Sequence, residues 1–488
     1  MTITKFTFSH PFDDDKLKEE CGVFGVIGMS DAANFVALGL HALQHRGQEA
    51  GGIVAYDATG GFNSARRFGY VRDNFTSKSL MSTLPGALSI GHVRYSTAGS
   101  KHAAIRDVQP FFGEFSMGGA AIAHNGNITN AEALRRELIE RGSIFQSSSD
   151  TECIIHLMAR SLQQNIPERM EDALRRVEGA FSIVAMTDQK LIGVRDPMGM
   201  RPLVLGRLGD GWALSSETCA LDIIGAEFIR EVSPGEMVVI SEKGLESHFP
   251  FRKRASKFCI FEHVYFSRPD SIVSGRSVYE TRRQIGVELA KESPVEADLV
   301  CPVPDSGTPA AIGFSQHSGI PYAMGIIRNQ YMGRTFIEPT DQIRNMGVRL
   351  KLNVNRSLIE GKRVILVDDS VVRGTTSRKI KDMVLDAGAK EVHFRIASPP
   401  TAWPCFYGVD TPEREKLLAA TMSEEEMRQH LSVNSLKFIS LDGLYRAVGE
   451  AEGRNKECPQ YCDACFSGQY PIAPSDMLNK GFRLEAAQ

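Results

Sequence analysis

"KEECGVFGVIG", residues 18–28, turns at a single cysteine from charge to an apolar, glycine-punctuated run. Such a run suits the first strand of a domain, and a strand that begins at Cys21 sets the reading of everything after it. Residues 1–20, MTITKFTFSHPFDDDKLKEE, lack the cationic start and apolar core of a secretion signal, and three consecutive aspartates argue against a mitochondrial presequence. They read as a leader that can be removed. Cleavage between Glu20 and Cys21 would give one residue both a thiol and a free α-amine, which titrates near ~8 and can act as base for its own side chain. The ordinary alternative is a small buried hydrophobe, so Cys21 decides nothing alone.

The whole chain narrows the choice. Its 488 residues, 42% hydrophobic and 24% charged, describe a globular protein with ample core and room for two or three domains. A net charge of -3 offers no basic field for nucleic acid or an anionic membrane. No apolar run reaches the ~18 residues that would span a bilayer. Nine cysteines without a secretion signal point to a reducing compartment with free or metal-bound thiols, and so to a cytoplasmic protein.

From Cys21 to about Pro250 short β-type runs predominate: "GGIVAYD", "LSIGHVRYST", "AAIAHNGNIT", "FSIVAMTD" and "LIGVRDP" each close on a turn residue. Helical periodicity appears in "DAANFVALGLHALQHRG", with Gly47 as its expected C-terminal cap, and in "NAEALRRELIERG", with Gly142. Mostly antiparallel sheets with helices packed on them are expected. Charge in "FPFRKRASKF" (249–258) interrupts this pattern, and beyond it strands alternate with helices, as in a parallel α/β sheet. The boundary is placed near 255. Ser423 and Glu426 have capping-box spacing.

Polar residues gather at strand ends in "HVRYST" (92–97), "HNGN" (124–127) and "SSSDTE" (147–152). An amide hydrolase needs a nucleophile, donors for a tetrahedral oxyanion and groups that hold the ends of its substrate. Each candidate is ordinary by itself: Arg94 as a surface ion pair, Asn125-Gly126 as a turn, Asp150 as a helix N-cap. Taken in this order behind Cys21, the segments closely resemble the glutaminase domain of class II glutamine amidotransferases, an N-terminal-nucleophile family with an αββα sandwich. The resemblance implies Cys21 as nucleophile, Arg94 and Asp150 on the α-carboxylate and α-amine of glutamine, and Asn125 with the Gly126 amide as oxyanion hole.

A second chemistry follows in "KRVILVDDSVVRGTTS" (362–377). Val364 to Val367 deliver Asp368 and Asp369 to a strand end. Ser370, Arg373, Gly374, Thr375 and Thr376 then form a turn entering a helix, where backbone amides and hydroxyls suit phosphate. The carboxylates suit ribose hydroxyls or Mg²⁺. This stretch resembles the phosphoribosyl pyrophosphate motif of type I phosphoribosyltransferases, an α/β fold. Ser306 and Gly307, in another strand-to-helix turn, suit pyrophosphate and metal. Arg328 and Arg334 lie in a polar loop (325–340) fit to close as a lid, and Arg349 and Lys351 are candidate partners of the departing pyrophosphate.

The order of the motifs resembles that of the glutamine phosphoribosylpyrophosphate amidotransferases over essentially all of 21–475. That family implies a leader at 1–20, a glutaminase domain over 21–255 and a phosphoribosyltransferase domain over 256–488. It implies synthesis of 5-phosphoribosylamine with channelled ammonia near Tyr95, Tyr265 and Phe266, inhibition by purine nucleotides, and a homotetramer. "CDAC" (Cys462, Cys465) has the spacing of a pair of metal ligands, with Cys259, Cys405 and Cys458 competing for the remaining positions. That spacing alone favours a structural zinc, with buried free thiols as the other alternative. One branch of the family combines a cleaved leader with a [4Fe-4S] cluster in these contexts, which implies Cys259, Cys405, Cys462 and Cys465 as ligands. Cys153, Cys219 and Cys301 are expected in the core.

Overall fold

The structure, a computed structural model, describes residues 18–19, 21–95, 105–329, 352–479 and 482. It divides into two compact units. One holds Lys18–Val278, Pro404–Thr411 and the chain from Glu457 onward; the other holds Tyr279–Trp403 and Pro412–Lys456.

In the first unit the strand Cys21–Ile27 lies in the middle of a seven-stranded antiparallel sheet. Its neighbours are Gly211–Ser215 and Leu88–Arg94, and Ala50–Asp57 lies beyond the latter. A second antiparallel sheet of six strands has Gly118–Ile128 and Gly179–Met186 side by side. Alternate residues of both sheets meet in one layer, with Val23, Val54 and Ile90 against Ala121, Ala123 and Val184. The period of two that set these strands also sends their other faces outward, and helices cover those faces. Ala32–Ala42 and Thr218–Ile223 cover the first sheet, and Ala131–Glu140, Thr151–Arg160 and Ile166–Leu174 cover the second. This is the expected αββα sandwich.

The boundary expected near 255 lies instead at Val278/Tyr279. The end of the charged stretch and the residues past it remain stitched to the first unit: Lys257 N donates to Met198 O at 2.8 Å and Cys259 N to Met200 O at 3.1 Å. Buried Glu262 holds Arg46 there too. The C-terminal segment, expected with the second half, also belongs to the first unit, because Tyr461–Cys462 runs parallel to Phe258–Cys259. Asp476 adds an anchor, its carboxylate accepting from Glu132 N (2.7 Å) and Ala133 N (3.2 Å) at the start of the Ala131–Glu140 helix. Lys18–Glu19, at the end of the expected leader, pair antiparallel with Val409–Asp410.

The second unit carries the expected parallel sheet, in the order Leu299–Pro302, Arg363–Asp368, Glu391–Ile396, Ser435–Phe438. Val364 through Val367 are fully buried, as an inner parallel strand covered on both faces requires. The helices Val278–Glu292 and Thr308–Ser318 approach closely at glycines: a methyl on Gly286 would meet Ala310 O, and one on Gly313 would meet Arg283 O, each at 1.9 Å. Ser423 and Glu426 form the expected capping box.

Candidate active site residues in the two units

Cys21 opens its strand directly opposite Arg94, the last residue of Leu88–Arg94. The backbone of Arg94 is gripped from behind by Gly47, where a methyl would come within 2.7 Å of Arg94 N. Gly47 is therefore needed for close approach. It is not the helix cap expected for it, since that helix ends at Ala42 with Leu43 as its cap.

Asn125 and Gly126 lie in the facing sheet, in the strand Gly118–Ile128. Gly126 has φ +140°, and a methyl there would sit 2.0 Å from Ala180 O, so no other residue fits. His92 joins the two sheets, its Nε2 lying 3.2 Å from His124 O. Burial, with Arg94 and His124 adding to it, pushes the His92 pKa down to about 3, so the neutral ring donates Nε2–H to that carbonyl.

Asp150 precedes the Thr151–Arg160 helix and turns its carboxylate back to the Asn125 strand, accepting from Ile128 N at 3.0 Å and Thr151 Oγ1 at 3.2 Å. Burial works to raise its pKa, but His124, 3.8 Å away, and these donors outweigh it and hold the carboxyl below the ordinary range. His124, inside the "HNGN" motif, joins the candidate site through this contact with Asp150, a pairing that no local spacing signals. His124 N in turn donates to Gln109 Oε1 at 2.7 Å.

Among the buried side-chain atoms that have no hydrogen-bond partner among the described residues are Arg94 Nη1 and both amide atoms of Asn125. Buried polar groups are nearly always satisfied, so such orphans point to a polar ligand. An array that combines a thiol, a guanidinium, an amide, a glycine N–H and a carboxylate can hold an amino acid and cleave its side-chain amide.

In the second unit the paired aspartates stand at the carboxyl end of their strand, where ligands of open α/β sheets bind. Both are buried. Ser306 Oγ donates to Asp369 Oδ1 at 2.5 Å, Ser370 Oγ to Asp369 Oδ2 at 2.7 Å, and Asp369 N to Asp368 Oδ1 at 2.9 Å. This is an all-oxygen set of the kind that suits Mg²⁺. Gly374, at φ +76°, turns the chain into the helix Thr375–Asp386. Arg328 ends a short strand, exposed, and pairs with Asp305 at 2.6 Å. Arg334, Arg349 and Lys351 lie outside the described residues.

Cys259, Cys405, Cys462 and Cys465 share one neighbourhood in the first unit, none of them in a disulfide. Burial pushes the Cys259 thiol up to about 12 and those of Cys462 and Cys465 well above their ordinary value. Cys405 acts electrostatically on all three, and Cys259 acts on both Cys462 and Cys465. Among the described residues no three His, Cys, Asp or Glu side chains stand as a ready ligand cage. The chemistry of the donor set nevertheless fits a thiophilic centre: Cys462 is buried, Cys259, Cys405 and Cys465 are partly buried, and a metal bound among them would supply the charge that lets these thiols ionise. Cys458 is exposed, and Cys153, Cys219 and Cys301 are buried.

The chain is 55% identical to an amidophosphoribosyltransferase from Rhizobium etli, over 96% of this chain and 94% of that protein. This chain belongs to the amidophosphoribosyltransferase family. The Bacillus subtilis member is 46% identical over 93% of this chain and 94% of its own length. A solved structure of the glutamine phosphoribosylpyrophosphate amidotransferase from B. subtilis, complexed with ADP and GMP, superimposes with a TM-score of 0.87 at 44% identity, covering 93% of this chain and 98% of that one. Residues 92–222 match the model of the glutamine amidotransferase domain. Within the family, then, the Arg94, Asn125 and Asp150 segments lie in the amidotransferase domain.

Proposed function

We propose that the chain makes 5-phosphoribosylamine from glutamine, phosphoribosyl pyrophosphate and water, releasing glutamate and pyrophosphate, as the first committed step of purine synthesis. The observation that carries this reading is the set of orphaned, buried atoms on Arg94 and Asn125 in the unit where Cys21 begins its strand. Arg94 takes the glutamine α-carboxylate and Asp150 the α-ammonium. With the leader gone, the α-amine of Cys21 accepts the thiol proton and the sulfur attacks the side-chain carbonyl. Asn125 Nδ2 and Gly126 N hold the tetrahedral oxyanion. The proton returns to the leaving nitrogen, ammonia departs, and water hydrolyses the thioester to glutamate.

Ammonia reaches the second site past Tyr95, Tyr265 and Phe266 and displaces pyrophosphate from the ribosyl carbon. Asp368 and Asp369 hold the ribose, and Ser370, Arg373, Gly374, Thr375 and Thr376 wrap its 5-phosphate. Arg349 and Lys351 serve the leaving pyrophosphate. Mg²⁺, when held by Ser306, Asp368 and Asp369, offsets the pyrophosphate charge. A [4Fe-4S] cluster on Cys259, Cys405, Cys462 and Cys465 ties the C-terminal segment to the first unit. Purine nucleotides inhibit the enzyme, which works in the cytoplasm as a homotetramer.

The test is turnover with two nitrogen donors. Cys21→Ala is expected to lose glutamine-dependent activity while keeping activity with ammonia, and intact-mass measurement of active wild type is expected to show Cys21 at the N-terminus. Full glutamine-dependent turnover by Cys21→Ala would refute the reading; full activity in protein that keeps residues 1–20 would refute the free-amine step.

A further inference from the structure

We propose that the loop Pro404–Thr411 is a wall of the oxyanion hole and that Gly408 and Asn127 are positioning residues for the glutamine-splitting step. The inference rests on the glutaminase reading of Cys21, Asn125 and Gly126. The loop is remote in sequence from the strand that bears those donors, yet it belongs to the same compact unit.

Gly126 is confined from two directions. A methyl built on it would strike Ala180 O, and a methyl built on Gly408 would stand 2.9 Å from Gly126 Cα, 3.0 Å from its carbonyl carbon and 3.2 Å from its oxygen. Two glycine backbones therefore lie against each other, and Gly408 itself has φ +105°. One residue further along, Asn127 Nδ2 donates to Phe406 O at 2.9 Å, locking the strand to the loop by a second contact.

The loop is in turn held from behind. Arg201, fully buried, donates from Nε to Tyr407 O at 3.0 Å and pairs through Nη1 with Glu262 Oε1 at 3.2 Å. The buried Tyr407 hydroxyl donates to Ile472 O at 2.5 Å and accepts from Ile472 N at 3.1 Å, and the Phe406 ring packs on Tyr470. A donor serves an oxyanion only when it is fixed before charge develops. A loop anchored this firmly against the Gly126 backbone supplies that fixity.

The assay is steady-state kinetics on the processed protein, beginning at Cys21, with glutamine and with ammonia. In Gly408→Ala the added methyl displaces Gly126, and kcat with glutamine is expected to fall by roughly 10- to 100-fold, as for a misplaced oxyanion donor. KM for glutamine is expected within about 2-fold of wild type, because Arg94 and Asp150 are untouched. Ammonia-supported turnover and the rate of Cys21 alkylation by iodoacetamide are expected to stay unchanged. Asn127→Ala, which adds no atom, is expected to show the same split at a few-fold loss, and it carries the test if Gly408→Ala does not fold.

Unchanged kcat with glutamine in Asn127→Ala, or a parallel fall with both nitrogen donors in either variant, overturns the proposal. Cys21→Ala measured alongside separates the two failures. If it keeps glutamine turnover, the glutaminase reading is wrong; if it loses turnover while Gly408→Ala and Asn127→Ala keep theirs, only the wall is wrong.

Discussion

Cys259 and Cys462 stand opposite each other in a two-residue parallel ladder, Phe258–Cys259 against Tyr461–Cys462, so two thiols remote in sequence meet at one register position. Protein purified without oxygen is expected to be brown and to carry about four iron and four sulfide per chain. Cys259→Ser is expected to lose that colour and to free the C-terminal segment for limited proteolysis. Iron, sulfide and zinc analysis decides the matter, and colourless, zinc-loaded, fully active protein would exclude the cluster.

Glutamine affinity should be insensitive to mild acid. The Asp150 carboxyl is held below the ordinary carboxylate range, so it stays charged as pH falls from 8 to ~5, and KM for glutamine is expected to be flat on its account over that interval. Asp150→Asn removes the charge that meets the α-ammonium. KM is expected to rise roughly 10- to 100-fold, the worth of one hydrogen bond to a charged group. A KM that climbs below pH 7 in wild type but not in Asp150→Asn would overturn the lowered Asp150 pKa, and an unchanged KM in Asp150→Asn would overturn its contact with the α-ammonium.

Replacing Asp368 and Asp369 together by Asn removes two charges while keeping shape. Ribosylamine formation is expected to collapse with glutamine and with ammonia alike, while circular dichroism and glutamine hydrolysis report an intact fold. Near-normal turnover with ammonia would remove these residues from the ribosyl site.

Stability is expected to depend on Glu217. Its side chain is fully buried between Arg46, whose Nε donates to Oε1, and the Ser271 hydroxyl, which donates to Oε2 at 2.6 Å; Arg268 N donates to Oε2 at 2.8 Å. Burial alone would raise its pKa, but Arg46 and His45 more than reverse that and set it well below the usual range. A folded-state pKa below the unfolded ~4.3 contributes stability that is present at neutral pH and lost as pH falls toward the folded value. Glu217→Gln leaves Arg46 with Glu262 as its remaining carboxylate and is expected to cost ~1–3 kcal/mol at pH 7. Urea unfolding at pH 7 and pH 4 is the check, with the gap to wild type expected to narrow at the lower pH.

Much of this protein was legible in the chain itself, because local chemistry carries it. A strand beginning at Cys21, the alternation that makes two antiparallel sheets, the fully apolar Val364 to Val367 and the glycine-turned helix after Asp369 are each specified within about twenty residues. Chemistry confined to one motif, as in "HNGN" or "VDDS", travels with that motif. What the tertiary structure alone decided are pairings between distant segments. The excursion of residues 404–411 into the first unit, the parallel ladder that brings Cys462 to Cys259, and the boundary at Val278 depend on backbone groups far apart in sequence finding one another. Gly47 shows the difference in one residue: by periodicity it reads as a helix cap, but in the fold its missing side chain makes room for the backbone of Arg94.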